Sequence, residues 1–261
     1  MKTTITSGLA LGIILTLGNA ALALPGDPLS PAGWTADADS WYPHNDPGLR
    51  MPIHAFDGSG LNVGADLTLG TTDDTHTGLG LGNPLSDIAW MTQAGVGSSQ
   101  NWVAGQRWLR VDMQSNKTIG KLQIWNYFEG NGDRGAKDVE IWYQTATGTG
   151  AIPVGFGGDG NGADFVSTNW TSLGNFTLAK TTANPTLITD TLDPIDFVAR
   201  HILIDIKSNY GANINTNETG MSEIRFLEGA LAAESVPEPS TYALGLIGLA
   251  GLGLVAWRRR K

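Results

Sequence analysis

Apolar and polar residues alternate along six short stretches of the chain. The first is Trp108-Leu109-Arg110-Val111-Asp112-Met113. Thr118 to Trp125 repeats the pattern, with Ile119, Leu122 and Ile124 set against Lys121 and Gln123. Asp138 to Gln144, Trp170 to Leu178, Arg200 to Ile206 and Glu223 to Leu227 follow. Successive side chains of a strand point to opposite faces, so each stretch predicts a strand with one buried face. The segments between them are rich in Gly, Thr and Asn. Short alternating segments separated by turns predict an all-β sandwich or barrel. No helical period is sustained between the two ends of the chain.

The ends follow a different rule. Lys2 gives a positive start, Leu9 to Leu17 an apolar run, and Ala21-Leu22-Ala23 a small-x-small cleavage site. This predicts a signal peptide over residues 1–23, with the mature chain starting near Leu24. At the other end, residues 230–240 form a linker holding Pro237, Glu238 and Pro239. Thr241 to Trp257 is an uncharged run of 17 residues, followed by Arg258-Arg259-Arg260-Lys261. The run has the length of a short transmembrane helix, and the basic cluster fixes the tail, 258–261, on the cytoplasmic side. Motif, span and basic tail in this order resemble the PEP-CTERM sorting signal of Gram-negative bacteria that make exopolysaccharide. The resemblance implies cutting by a membrane protease of the exosortase class. The protein would be held briefly in the inner membrane and then passed to the cell surface or extracellular matrix. A permanent single-span anchor is the alternative, and both place the body outside the cytoplasm.

The chain holds 16 Lys and Arg against 25 Asp and Glu. Five of the former (Lys2 and the tail) and two of the latter (Glu234 and Glu238) lie in the terminal segments, leaving 11 against 23, a net of −12. Such a surface repels nucleic acid and anionic lipid and suits neutral sugars and divalent cations. Cysteine is absent, which excludes disulfides, thiolate metal sites and a cysteine nucleophile. A domain of this size buries a sufficient core without disulfides.

Residues 24–50, rich in Pro, Asp and Trp, read as an irregular lead-in. Residues 51–229 read as one domain. Within it, Gly155-Phe156-Gly157-Gly158-Asp159-Gly160-Asn161-Gly162 lacks the Lys-Ser/Thr of a phosphate-binding loop and reads as a flexible surface insertion.

The order of segments through the domain carries a second resemblance. Ala55-Phe56-Asp57-Gly58-Ser59-Gly60-Leu61 and His76-Thr77 come first. Trp108-Leu109-Arg110-Val111-Asp112, Ile119 to Tyr127, Arg134 to Ile141 and Trp170 to Gly174 come next. Ala199-Arg200-His201-Ile202 and Gly220-Met221-Ser222-Glu223-Ile224-Arg225-Phe226 close the set. The ordered set is similar to the coagulation-factor 5/8 type C (discoidin) superfamily, which includes the family 32 carbohydrate-binding modules. That resemblance implies a jelly-roll β-sandwich of the galactose-binding-domain-like type, with ligands bound by loops at one end.

It also implies a structural calcium, held by Asp57, the Gly58 turn and Glu223. Calcium takes about six to eight hard oxygen ligands, which carboxylates and the carbonyls of a tight Gly turn supply. Turn-capping by Asp57 and a solvated Glu223 are the plain alternative. For a sugar, the family pairs a ring that stacks on the pyranose with polar groups that bind its hydroxyls. The candidates are His76 at the matching place, Trp90 and Trp102 in the next loops, Asn209 and Tyr210 before the closing segment, and Arg134 at a strand entry, where a structural role is the plainer reading. Trp108, Trp125 and Trp142 lie in strand patterns and belong to the core. Catalysis has no signature: there is no Gly-x-Ser-x-Gly elbow and no His-Glu-x-x-His pair. The sequence therefore predicts a non-enzymatic, exported protein that binds carbohydrate or exopolysaccharide. A structural matrix protein without a sugar site, or an uncharacterised hydrolase, are the alternatives.

Overall fold

The computed structural model describes residues 24–41, 50–62, 74–77, 89–92, 107–128, 132–157, 163–183, 186–193, 195–211 and 218–230. The elements in chain order are β1 (Thr35–Ala38), β2 (Ser40–Trp41), a 3-10 turn (Pro52–Ala55), β3 (Leu61–Asn62), β4 (Thr75–His76) and β5 (Trp90–Met91). They continue with β6 (Trp108–Asn126), β7 (Asp138–Gln144), β8 (Phe156–Gly157) and β9 (Thr171–Thr177). The last are β10 (Thr186–Leu187), β11 (Asp190–Leu192), β12 (Phe197–Ile206) and β13 (Gly220–Glu228). The expected all-β sandwich is what forms, and all six alternating stretches contribute strands to it.

Two of those stretches are one strand. β6 runs through Trp108–Asn126. Its first residues pair with β1 on one side and β12 on the other. Its last residues pair with β13 and β11. The polar Gln114-Ser115-Asn116 between the two halves is exposed, as a turn would be, but the chain stays extended. Gln114 adopts a positive φ of 66°, and its N–H donates to the Asp112 carboxylate at 2.8 Å. That local bond fixes a kink where a turn was expected, and β6 continues as one strand whose neighbours change along its length. Antiparallel pairing of β12 with β7 and of β7 with β9 completes the main sheet, in the order β5-β13-β6-β12-β7-β9. β10-β4-β3 and the parallel pair β2-β8 are small satellites.

The core lies inside this wrap. Ile119, Leu122 and Ile124 of β6 meet Val139 and Ile141 of β7, Ile202, Ile204 and Ile206 of β12, and Ile224 and Phe226 of β13. Each such side chain contributes about 1.5–3 kcal/mol on burial. Phe56 stacks on Phe226 with centroids 5.9 Å apart, which seats the segment after the 3-10 turn on β13. Trp108, Phe165, Trp170 and Leu203 form a smaller cluster. Trp108 and Trp125 are fully buried and Trp142 partly so, as their strand positions predicted.

The segment 24–50 is not an irregular lead-in throughout. β1 is integral to the main sheet, and Leu29, Trp34 and Ala38 belong to the core. Gly26 and Leu29 donate backbone N–H groups to Glu228 and Phe226 at 2.8 Å. A domain boundary at 51 would cut through this sheet. β1 is only four residues long and, apart from Thr35, carries Ala and Asp, so it shows too little alternation to mark a strand. The Gly-rich stretch also differs from expectation where it is described. Gly155 donates its N–H to Asp37 at 2.9 Å, and a Cβ on it would lie 1.8 Å from the Ala38 carbonyl oxygen. This part of the loop is packed against β1 rather than free, and Gly158–Gly162 lie outside the described residues.

Candidate functional site

Two polar clusters stand out. The first is built on the turn after the 3-10 helix. Gly58 has φ +77° and Gly60 φ +85°, conformations that glycine adopts without steric cost. The turn folds over β13, and the Gly58 N–H points at the Glu223 carboxylate, 3.2 Å from each oxygen. Glu223 is 0 % exposed and Arg225, two residues on and on the same face, is 5 % exposed. The Arg225 Nε lies 3.0 Å from Glu223 Oε1, and its Nη1 donates to the Phe56 carbonyl at 3.4 Å. Burial pushes the Glu223 carboxyl well up, against the opposing pull of Arg225. Asp57 is held by partners of its own. Its Oδ1 accepts from the Ser59 N–H at 2.8 Å and hydroxyl at 2.5 Å, and its Oδ2 lies 3.1 Å from His54 Nδ1. Burial alone would raise the Asp57 carboxyl, but the bonds from His54 and Ser59 outweigh it and hold it low.

His76 belongs to this cluster and not to a ligand surface. It is fully buried on β4, and its Nε2 lies 2.9 Å from the Ser59 carbonyl oxygen. Burial pushes its pKa down to about 4, so the neutral ring donates Nε2–H to that carbonyl. The expectation of a sugar-binding His76 is thereby corrected. β4 turns the side chain inward, and the Asp57–Leu61 turn covers it. Trp90 is corrected in the same way. It is 0 % exposed on β5, packs in the main core and donates its indole N–H to the Ser40 carbonyl at 3.2 Å.

A calcium ion requires its oxygens to converge on one point at about 2.3–2.6 Å. The oxygens of this turn are engaged in hydrogen bonds instead. The carbonyls of Phe56, Gly58, Ser59 and Gly60 accept from Arg225, Leu61, His76 and Thr77 respectively. The Glu223 carboxylate meets Gly58 N–H and a guanidinium. Among the described residues no group of three or more His, Asp or Glu side chains is arranged to hold a metal. The donor set of Asp57, Gly58 and Glu223 does not fit the ion as placed.

The second cluster lies at the end of the sandwich where β6, β9 and β12 finish and β7 and β13 begin. Here three of the sequence-predicted ligand residues do come together. Arg134 precedes β7, and its Nε lies 2.8 Å from Glu218, just before β13. Asn209 follows β12 and donates its amide to the Glu218 carbonyl at 3.0 Å. Tyr210 is half-buried; its N–H donates to the Gly135 carbonyl at 3.3 Å and its hydroxyl to the Leu178 carbonyl. Lys180, after β9, was not anticipated: its ammonium lies 6.0 Å from the Tyr210 ring centroid and 2.6 Å from Asp133. Its alkyl-ammonium character gave no signal in the sequence, since only the meeting of β9 with β7 brings it to this end. Beside it opens a cavity of ≈ 290 Å³ lined by Ala179, Lys180, Thr181, Thr182, Leu187 and Thr189. That is just below the range for small-molecule sites, about 300–1,000 Å³. Trp102 lies outside the described residues, as do Pro237, Glu238 and Pro239 and the apolar run 241–257. Among the described residues no helix is long and apolar enough to cross a membrane.

Fold and terminal signal together define a β-sandwich domain carried by a sorting tail. The family model of the PEP-CTERM protein-sorting motif matches residues 235–261, which marks a secreted protein sorted by way of the membrane. No curated relative matches the chain. Among solved structures, the chain is similar to the F5/8 type C domain of a Bacteroides fragilis protein, with 14 % identity and TM-score 0.46, covering 78 % of this chain and 97 % of that one. It is also similar to the family 32 carbohydrate-binding module of C. perfringens NanJ in complex with galactose, with 16 % identity and TM-score 0.43, covering 78 % and 99 %. A third is a Streptococcus pneumoniae fucose-binding module, with 14 % identity and TM-score 0.41, covering 77 % and 96 %.

Proposed function

We propose that this protein is an exported, non-catalytic binder of carbohydrate that works through the loops at one end of the sandwich. The observation that carries this is the convergence of Arg134, Asn209 and Tyr210, from three separate segments, at one sheet end beside the Lys180 cavity. A half-buried ring offers an apolar face, and guanidinium and amide groups supply directed donors for hydroxyls. The acidic body disfavours polyanions, so a neutral sugar or a neutral stretch of exopolysaccharide is the ligand class. The tail supports processing by an exosortase-type protease at Pro237-Glu238-Pro239 and delivery to the surface or matrix of a Gram-negative cell.

The test is a glycan array probed with the full chain in detergent, competed by free monosaccharide. Arg134→Ala should weaken a positive signal roughly ten- to a hundredfold, the range for losing a hydrogen bond to a charged group, and Tyr210→Ala roughly two- to tenfold, the range for losing a ring contact. A signal that survives both changes would place any site elsewhere. One observation favours a second reading. The ion pairs Arg134–Glu218 and Lys180–Asp133 satisfy these cations internally, as in a structural matrix protein with no sugar site. An array without any competed signal would select it.

A further inference from the structure

We infer that the Arg225 guanidinium supplies, from within the chain, the positive charge that a divalent cation would bring to the Asp57–Gly60 turn, so that the turn closes on the sandwich without metal. The inference departs from the calcium that the family resemblance implied, and it rests on where the guanidinium sits. A Cβ built on Gly58 would lie 1.9 Å from Arg225 Nη2 and 3.1 Å from its Cζ, so the group lies directly beneath the turn. It is 5 % exposed, and within reach it has the Glu223 carboxylate at 3.0 Å and the Phe56 carbonyl at 3.4 Å. Those are a carboxylate and a turn carbonyl, the two ligand types a hard cation would use here.

A guanidinium is planar, permanently charged and more weakly hydrated than an ammonium, which suits it to buried carboxylate pairs. Gly58 completes the fit, because any side chain there would occupy the space of the guanidinium. A divalent ion in the same place would meet that fixed positive charge at close range, where like charges repel strongly in a poorly screened interior. The pairing also gives Glu223 and Arg225 a common role. Two oppositely charged residues at i and i+2 of β13 face the same side, and both are buried by the same turn.

The experiment is calorimetric unfolding of the full chain in detergent, with excess calcium and with chelator, alongside metal analysis of the purified protein. An occupied site at a hundred times its dissociation constant would raise the folded-to-unfolded ratio about a hundredfold. The expected result is one melting temperature in both conditions and substoichiometric bound metal. A calcium-dependent rise reversed by chelator, or one equivalent of tightly held calcium, would overturn the inference and restore the metal-braced turn. Arg225→Gln provides the second arm. It should melt below the wild type in calcium and in chelator alike, and wild-type melting of this variant in chelator would equally overturn the inference. Should the variant not fold, the wild-type comparison decides alone.

Discussion

Replacing Gly58 by alanine isolates the packing of the turn on Arg225. Two costs follow from the structure. Gly58 has φ +77°, where an L-residue costs about 1–2 kcal/mol. The new Cβ would also lie 1.9 Å from Arg225 Nη2, so the guanidinium must move. Movement separates it from Glu223, and breaking a buried ion pair costs about 3–5 kcal/mol. The sum is roughly 4–7 kcal/mol, against a total stability of about 5–15 kcal/mol for a native domain. Gly26→Ala provides the control. Gly26 has φ +92° with nothing within 4 Å of the position a Cβ would take, so it carries the backbone cost alone. Both substitutions also narrow the unfolded ensemble by a similar amount, which cancels in the comparison. Denaturant unfolding of the two variants should therefore differ by about 3–5 kcal/mol, with Gly58→Ala the weaker. By calorimetry the same difference corresponds to roughly 6–20 °C for a domain of this size. Equal losses in the two variants would mean that the guanidinium is not held under the turn, and the reasoning would fail.

Further changes test separate features. His76→Ala should lower stability by about 1–3 kcal/mol through the unsatisfied Ser59 carbonyl, while leaving any glycan signal intact; a selective loss of binding would return His76 to the ligand site. Asp39 is buried beside Arg107, with its pKa raised by burial to about 7. A raised folded pKa means that its contribution to stability is fully present below its unfolded value near 3.8 and is lost as pH rises through about 7. Asp39→Asn should therefore gain stability over the wild type at pH above about 7 and little near pH 4, read from denaturation curves across that window; a pH-independent difference would argue against the burial cause. Trp90→Ala should cost about 3–5 kcal/mol as a core deletion, and a near-neutral melting temperature would contradict its burial. Mass spectrometry of the secreted protein should show loss of the chain beyond the Pro237-Glu238-Pro239 motif, whereas an intact C-terminus would indicate a permanent anchor.

The sequence by itself determined what depends on near neighbours. Period-two alternation marked strands because side-chain direction along a strand repeats locally, whatever the strand pairs with. Trp108 and Trp125 could be assigned to the core on that ground alone. The terminal sorting motif was equally legible, because length, charge order and a short motif define it without any fold. Tertiary structure decided the rest. His76 and Trp90 sit in short strands, β4 and β5, too brief to show a period, so only the covering turn and the core reveal them as buried. β1 joined the sheet through pairing with a strand more than seventy residues away, as Thr35 opposite Asp112 shows. The meeting of Gly58 with Glu223 spans 165 residues, and nothing local told that Arg225 would share the space beneath the turn. Arg134, Asn209 and Tyr210 carried a family resemblance in the sequence, but their adjacency to Lys180 arose only when β7, β9 and β12 came together. Local geometry fixes which face a residue takes; the partners it finds there come from contacts between distant segments, and those set burial, charge and chemistry.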